Sequence, residues 1–272
     1  MKTVADFRLI ENQSLSERLF LLRLTPADGS PLLPIACGQF VEVRIDHTAD
    51  VFLRRPISVH FVDVERNELH LLVQSAGKGT RLLAALRPDA VLNIVYPLGN
   101  GYTMPTEGAP SQHYLLIGGG VGIAPLLQTG ATLSAQGHRV TFLLGGRTAA
   151  DIVRVDQYSR YGKLCITTED GSTIEGADCV KGFVTNHPVL QGDGAAIDAI
   201  RVCGPMPMMK AVARLVQSQG LGEGKARFCE VSLENKMACG LGVCLCCVED
   251  TKEGHKCVCS EGPVFDINDL KW

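Results

Sequence analysis

The chain has 272 residues, of which 46% are hydrophobic and 20% are charged, and its formal net charge is −3 at pH 7. This length favours about two domains, whose cores can be stable without disulfide bonds or structural metal ions. The small net charge argues against a nucleic-acid-binding protein, which would carry a basic stripe. Charged residues interrupt the opening MKTVADFRLIENQS, and the uncharged stretch 111–137 is rich in glycine. We therefore expect a cytoplasmic protein with reduced cysteines and no membrane association.

Short β-type segments separated by turn signals fill the first hundred residues. In residues 40–45, FVEVRI, apolar and charged side chains alternate with the period of a half-buried antiparallel strand. The predicted strands lie in DFRLIENQSL, ERLFLLRLT, GQFVEVRID, PISVHFVDV, ELHLLVQSA and AVLNIVYPLG. One short helix is predicted in GTRLLAAL, before a proline. Many short strands with tight connections predict an antiparallel β-barrel or sandwich over residues 1–103.

A linker-like stretch, MPTEGAPSQ at 104–112, separates this region from one with a different rhythm. Beyond it strands alternate with helices. Strands are predicted at 114–117, 140–144, 164–168, 200–203 and 228–232, and helices at 124–136, 151–158 and 208–219, with an irregular segment of weak helical signal up to residue 190. This alternation predicts a Rossmann-like parallel α/β domain over residues 112–232, with both faces of its sheet covered.

Residues 233–272 form the third predicted domain, which is small and rich in cysteine. Cys239, Cys244 and Cys247 have the C-x4-C-x2-C spacing of plant-type ferredoxins, in which one loop supplies three thiolates to a [2Fe–2S] cluster. Gly240 and Gly242 suit such a loop, because residues without a Cβ turn tightly and let backbone N–H groups approach the sulfurs. The spacing therefore predicts an iron–sulfur domain at the carboxy end.

A fourth thiolate should come from a separate segment, and both Cys257 and Cys259 are available. We favour Cys259, and Cys246 and Cys257 would then be bystanders. Two alternatives use the same cysteines. A disulfide framework needs an oxidising compartment, and a zinc site usually repeats paired C-x2-C knuckles. A zinc-stabilised binding module is the alternative from a different functional class.

Two anion-binding patterns lie in the predicted barrel. The run Arg55, Pro56, Ile57 and Ser58 combines a guanidinium fork with a proline-fixed turn and a hydroxyl, although an isolated turn of this kind can be merely basic surface. In residues 73–80, VQSAGKGT, a strand runs into a glycine-rich turn and a helix start, where free N–H groups favour a pyrophosphate. Two such sites in one barrel predict a dinucleotide, and FAD is the obvious one.

The α/β region carries its own glycine loop after the first predicted strand. The loop GGGVGIAP contains Gly118, Gly119, Gly120 and Gly122, so backbone can approach a second nucleotide at the carboxyl edge of the sheet. It is not a full G-x-G-x-x-G fingerprint, and the second strand ends at Arg147 rather than at an acidic residue. The sequence therefore predicts a nicotinamide nucleotide without choosing between NAD and NADP.

A later predicted strand of the same sheet ends in Cys203 and Gly204, followed by a proline. At that edge a thiol is well placed to pack beside a nicotinamide ring. A buried core cysteine explains the pattern equally well. No residue is assigned a role as acid or base.

With these motifs in order, the chain resembles the ferredoxin–NADP reductase superfamily over roughly its first 230 residues. The turn at Arg55 to Ser58 looks like the flavin-binding R-x-x-S/T motif of that superfamily, and GGGVGIAP and CGPMPMM look like its nicotinamide-side motifs. The tail, SLENKMACGLGVCLCCVED followed by CSEGPVF, is similar to the cluster segment of the electron transfer subunits of type B dihydroorotate dehydrogenases, and this resemblance covers the whole chain. The extra thiol Cys246 and the short spacer before the fourth ligand depart from that pattern.

The resemblance implies the remaining assignments. Cys259 would be the fourth cluster ligand, the nucleotide would be NADH, and FAD would be held by Arg55, Pro56, Ile57, Ser58, Leu72, Val73, Gln74, Gly79 and Thr80. It further implies electron transfer between NAD and an FMN-containing catalytic subunit that oxidises dihydroorotate in pyrimidine biosynthesis, in a heterotetramer of two plus two chains. The alternative within redox enzymes is a flavin and iron–sulfur subunit of a sulfhydrogenase or a transhydrogenase.

Overall fold

In the computed structural model of the chain, residues 2–46, 48, 50–191, 197–218 and 228–272 are described. The first part is a closed antiparallel barrel with the strand order β1-β2-β5-β4-β3-β6. Its strands are β1 (Thr3–Ser14), β2 (Leu19–Pro26), β3 (Phe40–Val43), β4 (Arg55–Asp63), β5 (Glu68–Gln74) and β6 (Val91–Leu98). The predicted barrel is therefore confirmed, with each of the six predicted segments supplying one strand.

Alternation along the strands explains how the barrel closes on an apolar interior. Val41 and Val43, two residues apart on β3, pack inside the barrel with side chains from all five of the remaining strands. The predicted helix is α1 (Lys78–Ala84), and its Leu83 is buried in the same core. Closure leaves the barrel with no free edge strand.

The second part is a twisted sheet with the order β10-β9-β8-β7-β11-β12-β15. All neighbouring pairs from β10 to β12 are parallel. The strands are β7 (His113–Gly119), β8 (Arg139–Gly146), β9 (Lys163–Thr168), β10 (Asp178–Lys181), β11 (Ala199–Cys203) and β12 (Phe228–Ser232). The helices are α2 (Leu126–Ala135), α3 (Val155–Ser159), α4 (Pro188–Gln191) and α5 (Met206–Ser218). The predicted parallel α/β architecture is confirmed.

Two local predictions in this part were wrong. The segment expected to be irregular contains β10, which is only four residues long and lies at the edge of the sheet. The helix expected at 151–158 is split into a 3-10 turn at Ala149–Asp151 and the short α3, because Arg154 between them has a left-handed φ of 61°. Residue 219, the last one of the predicted third helix, lies outside the described residues.

The C-terminal segment adds three strands that were not predicted. β13 (Val248–Thr251) and β14 (Gly254–Cys257) form a hairpin, and β15 (Val264–Asp266) pairs antiparallel with β12. The prediction that the large sheet ends at β12 was therefore wrong. The last strand of the sheet comes from the cysteine-rich segment. The boundaries 1–103, 112–232 and 233–272 stay a prediction. Among the described residues, none of the helices combines the length and the apolar character that crossing a membrane requires.

Candidate functional site

The cysteine loop between β12 and β13 turns tightly at three places. Gly240 and Gly242 have φ values of 67° and 82°, and Leu245 has a φ of 58°. A side chain at Gly242 would lie 2.7 Å from Oγ of Ser260. Both glycines therefore occupy positions where other residues are strained, as expected from the sequence.

Backbone N–H groups of this loop point at cysteine sulfurs. Leu241 donates to Sγ of Cys239 at 3.3 Å, Gly242 donates to Sγ of Cys259 at 3.1 Å, and Cys259 donates to Sγ of Cys247 at 3.4 Å. Burial disfavours the Cys239 thiolate, but backbone N–H groups of the loop outweigh it and lower the pKa of Cys239 to about 6. Sulfurs that accept N–H bonds are prepared to act as thiolate ligands.

The close packing of cysteine sulfurs also fits a site for a positively charged metal centre. Burial raises the pKa of Cys259, and the neighbouring sulfurs of Cys247 and Cys239 raise it further. Thiols packed in this way cannot all lose their protons unless positive charge is added between them. The donor set and its N–H bonds therefore fit an iron–sulfur cluster.

The two candidates for the fourth ligand differ in their contacts. Cys259 is fully buried and accepts the Gly242 N–H, whereas Cys257 directs its own thiol toward the Gly242 carbonyl oxygen at 3.8 Å. An acceptor of hydrogen bonds suits a thiolate, and a donor suits a neutral thiol. Of the other loop cysteines, Cys247 is buried, while Cys244 and Cys246 are exposed at the surface.

A site for one metal ion occurs elsewhere among the described residues. Ligand atoms of Cys165, Asp178 and His187 all lie within 4.8 Å of one another, and no set of three from the cysteine loop meets that limit. A single tetrahedral zinc ion with Zn–S bonds of about 2.3 Å would bring its sulfurs to about 3.8 Å. His187 is already engaged, because Nδ1 accepts the N–H of Val189 and Nε2 faces the Asp178 carbonyl oxygen at 3.2 Å. The zinc alternative thus finds no support in the loop.

A cavity of about 250 Å³ opens where the barrel meets the α/β region. It is lined by most of the predicted flavin residues, namely Pro56, Ile57, Ser58, Leu72, Val73, Gln74 and Thr80. The register explains this grouping, because Ser58 and Pro56 on β4 pair with β3, while Leu72 to Gln74 end the neighbouring β5. The structure therefore brings together residues that lie far apart in the sequence.

Arg55 and Gly79 contact each other beside this cavity. A Cβ on Gly79 would lie 2.6 Å from Nε of Arg55, whereas a Cβ on Gly77 would meet nothing within 4 Å. Thr80 accepts the N–H groups of Ala76 and Gly77 through its hydroxyl, which orders the turn before α1. The two predicted anion-binding patterns thus contact each other, although Arg55 and Gly79 do not themselves line the cavity.

A larger cavity of about 800 Å³ lies at the carboxyl ends of the parallel strands. Gly119, Gly120 and Gly122 line it together with Gly204 from the end of β11. A Cβ on Gly122 would lie 2.4 Å from the Gly204 Cα, so the two loops touch backbone to backbone. Such close packing leaves room for a nucleotide at the sheet edge.

Two predicted residues of this site lie behind its wall. Among the described residues, Gly118 and Cys203 do not line the larger cavity. A Cβ on Gly118 would meet Ile123 at 2.9 Å, so this glycine serves packing of the strand against the following turn. Cys203 is fully buried, with Sγ 3.9 Å from a carboxylate oxygen of Glu234.

Sequence reasoning missed Glu234, which borders both cavities. Gln74, Val121 and Glu234 line the smaller and the larger cavity alike. The Glu234 side chain is exposed to the cavity space, and desolvation by the surrounding protein raises its pKa. It lies at the start of the segment between β12 and β13, but its position between two cavities depends on the fold, so no spacing pattern could have indicated it.

Comparison with known proteins identifies the family. The chain is 35% identical over 237 residues to the "Dihydroorotate dehydrogenase B (NAD(+)), electron transfer subunit" of Shouchella clausii, covering 86% of this chain and 85% of that protein. The chain belongs to the family of dihydroorotate dehydrogenase B electron transfer subunits. The family member from Bacillus caldolyticus is 34% identical, with 86% of each chain covered.

A family model supports this membership, and a second model and solved structures agree with the fold. Residues 234–271 match the iron–sulfur cluster binding domain of dihydroorotate dehydrogenase B, and residues 116–214 match an oxidoreductase NAD-binding domain. A structure of an NADH-dependent reduced ferredoxin–NADP oxidoreductase superposes with a TM-score of 0.79 at 25% identity, covering 98% of this chain and 90% of the other. The cytochrome b5 reductase domain of Ulva prolifera nitrate reductase shares the fold, with a TM-score of 0.64 at 19% identity, covering 82% and 95% of the two chains.

Proposed function

We propose that the chain carries electrons between NAD(H) and an FMN-containing catalytic subunit that oxidises dihydroorotate in pyrimidine biosynthesis. The observation that carries this proposal is the cysteine site, in which loop N–H groups point at Cys239 and Cys259 and the Cys259 N–H points at Cys247, in a chain 35% identical to a named electron transfer subunit. The cavities next to the loop supply room for the two other redox groups.

The chain's cofactors are FAD and a [2Fe–2S] cluster, with NAD(H) as the substrate. When bound, they form a converter in which the nicotinamide exchanges an electron pair as hydride, the flavin accepts pairs and releases single electrons, and the cluster carries one electron at a time. Cys239, Cys244, Cys247 and Cys259 hold the cluster. The contrasting contacts of Cys257 and Cys259 support the choice of Cys259.

The barrel residues hold the FAD. Arg55, next to Gly79, would bind the phosphates, and Ser58, which lines the cavity, would contact the flavin. Further contacts come from Pro56, Ile57, Leu72, Val73, Gln74 and Thr80. The apolar side chains exclude water from the reacting atoms, and the polar ends fix the orientation of the ring.

Residues of the α/β region bind NAD(H) in the larger cavity, which adjoins the barrel. Gly119, Gly120, Gly122 and Gly204 give backbone access to the nucleotide, while Gly118 and Cys203 support these loops from behind. Glu234 borders both cavities, so its carboxyl group would orient a nicotinamide bound in the larger one. We assign no side chain a role in proton transfer, because a nicotinamide and a flavin would exchange electrons as hydride.

The tip of the cysteine loop forms the proposed contact with the catalytic subunit. Leu241, Val243 and Leu245 are exposed to 48%, 79% and 63% although they are apolar. Exposed apolar residues around a redox centre are suited to a protein interface. The complex is proposed to be a cytoplasmic heterotetramer of two catalytic and two electron transfer chains.

Reconstitution tests this function. The isolated chain should oxidise NADH with ferricyanide and show no activity on dihydroorotate, whereas addition of the catalytic subunit should give dihydroorotate-dependent reduction of NAD+. Cys244→Ser should abolish the coupled reaction and leave NADH–ferricyanide activity, because flavin reduction precedes the cluster. Coupled reduction of NADP+ by ferredoxin instead would favour a transhydrogenase, the function in the name of the similar oxidoreductase structure.

A further inference from the structure

The barrel buries one carboxyl group that has no role in the steps above. Glu42 lies on β3 with its side chain fully shielded from solvent. Among the described residues, neither of its carboxyl oxygens has a hydrogen-bond partner. Burying such a group without a partner destabilises a fold, because the lost hydration is not replaced. An unpaired buried carboxyl therefore requires a functional explanation.

The Glu42 side chain points out of the barrel toward the cysteine loop. Val41, its neighbour on β3, packs in the barrel interior, whereas Phe40, on the same face as Glu42, packs in the core shared with the C-terminal segment. A Cβ on Gly240 would lie 2.8 Å from Cγ and 3.4 Å from Oε1 of Glu42. The carboxyl group therefore contacts the loop at the residue that follows Cys239.

The same group lies next to residues of the proposed flavin site. Glu42 pairs with Pro56 across the β3–β4 ladder, and both Pro56 and Phe40 line the smaller cavity. Glu42 thus lies in the layer of protein between that cavity and the loop. Electrons exchanged between a flavin in the cavity and a cluster in the loop have to cross this layer.

Neighbouring charges do not cancel the Glu42 carboxyl by direct contact. Burial raises the pKa of Glu42 to about 7, against the opposing attraction of Arg54 and Arg55, and the Cys239 sulfur raises it further. The Arg54 guanidinium donates to the side-chain and main-chain oxygens of Asn93 at 2.6 and 2.8 Å and to the main-chain oxygen of Glu42 at 3.3 Å, but not to the Glu42 carboxyl group. Above the pKa, Glu42 therefore contributes a negative charge that neither water nor salt screens.

We propose that Glu42 is a potential-setting residue: its carboxylate, held against the cysteine loop in a layer without solvent, lowers the reduction potential of the cluster. A fixed negative charge disfavours the addition of an electron nearby, and charge near the cluster is one of the factors that set its potential. The inference rests on the proposed function, because it requires the cluster that the loop would hold.

An electron paramagnetic resonance titration of the purified chain at about pH 9, well above the ordinary range of a glutamate pKa, tests this inference. Glu42→Gln keeps the shape and removes the charge, so the midpoint potential of the cluster should become more positive. The equilibrium constant for reduction of the cluster should rise at least tenfold, which corresponds to a shift in midpoint potential of about 59 mV for a one-electron couple. Glu42→Asp keeps the charge and should stay closer to the wild-type potential.

A surface variant and two further measurements separate the outcomes. Glu253→Gln removes a carboxylate from the exposed β13–β14 connection and should leave the potential unchanged. Iron and sulfide contents of all variants should equal those of the wild type, and the Tm of Glu42→Gln should not fall. An unchanged or more negative potential in Glu42→Gln, with the cluster intact, would overturn the role of Glu42. Absence of iron and sulfide from the wild-type chain would instead refute the proposed function.

Discussion

The backbone N–H of Gly242 points at Sγ of Cys259 across 3.1 Å, although 17 positions separate the two residues in the chain. The left-handed φ of 82° at Gly242 makes this approach accessible, and Cys259 reaches the loop after the β13–β14 hairpin reverses the chain. This contact joins the loop that carries three of the proposed ligands to the segment that supplies the fourth. The proposed cluster site is thus closed by chain reversal rather than by a single run of residues.

Serine substitutions at two neighbouring exposed cysteines should have opposite results. Cys244→Ser removes a proposed ligand and should lower the iron and acid-labile sulfide contents to near zero, because a two-iron cluster needs its full set of thiolates. Cys246→Ser, at an equally exposed position two residues away, is the control and should retain both. Equal losses in the two variants, measured by metal analysis after anaerobic purification, would exclude the proposed ligand set.

Gly79→Ala should weaken FAD binding without unfolding the barrel. The new methyl group would lie 2.6 Å from Nε of Arg55, and a flexible arginine can move away only by leaving its place beside the flavin cavity. Loss of one charge-assisted contact of this kind costs about 1.5–3 kcal/mol, or roughly ten- to a hundredfold in affinity. The measurement is FAD affinity by fluorescence titration of the apoprotein.

The matched control for that experiment is Gly77→Ala. A Cβ at Gly77 has open space around it, and its φ of −118° suits any residue. This variant should bind FAD as tightly as the wild type. A similar loss of affinity in both variants would mean that the turn before α1, and not the Arg55 position, determines binding.

Glu234→Gln should slow the reduction of bound FAD by NADH by about tenfold, equivalent to about 1.4 kcal/mol of barrier. The reason is position: the carboxyl borders both cavities, and a neutral amide would hold the nicotinamide differently. Stopped-flow absorbance measures the rate, with FAD content checked first. Glu253→Gln, at a remote exposed carboxylate, should leave the rate at the wild-type value. An unchanged rate in Glu234→Gln would remove this residue from the site.

A pH-dependent contribution to stability is expected from the barrel. Arg23 holds Glu68 with bonds of 2.9 and 3.0 Å. Burial opposes ionisation of Glu68, but its bonds to Arg23 and His70 outweigh burial and lower the pKa below the ordinary 4.5. A lowered pKa in the folded state means that the stabilisation is complete above about pH 4.5 and is lost as the pH falls below it.

Glu68→Gln should therefore lower stability by about 1–3 kcal/mol at neutral pH, and the deficit should shrink toward about pH 4. Thermal denaturation across this pH range measures the difference from the wild type. Glu65→Gln, an exposed carboxylate on the turn between β4 and β5, is the control and should match the wild type throughout. A deficit that stays constant with pH would show that the carboxylate charge of Glu68 is not the source of the stabilisation.

Much of the architecture could be predicted because it is encoded locally. The alternation around Val41 and Val43 indicates a strand with one face inside a barrel, and the glycine loop after β7 indicates close backbone packing at a sheet edge. The parts of the fold that the sequence did not predict depend on pairing between residues far apart in the chain. β15 has only three residues and joins the sheet through β12, more than thirty positions earlier in the chain. No periodicity can be read from so short a segment.

In the functional site, too, the features encoded by local spacing could be predicted and those that depend on the fold could not. The spacing of Cys239, Cys244 and Cys247 indicates a cluster loop directly, because three ligands come from one turn. Residue patterns gave no reason to separate Cys257 from Cys259, since Cys257 ends the hairpin and Cys259 follows two residues later, and only their three-dimensional contacts differ. Glu234 gave no signal, because its significance comes from two cavities that meet beside it.

The iron–sulfur assignment is tested most directly by metal and sulfide analysis combined with a visible spectrum of the anaerobically purified chain, before and after addition of NADH. We predict a brown protein with two iron and two sulfide ions per chain, the number in one [2Fe–2S] cluster, together with FAD absorbance that bleaches on reduction. A colourless protein that contains zinc, or a yellow flavoprotein without iron and sulfide, would contradict the assignment.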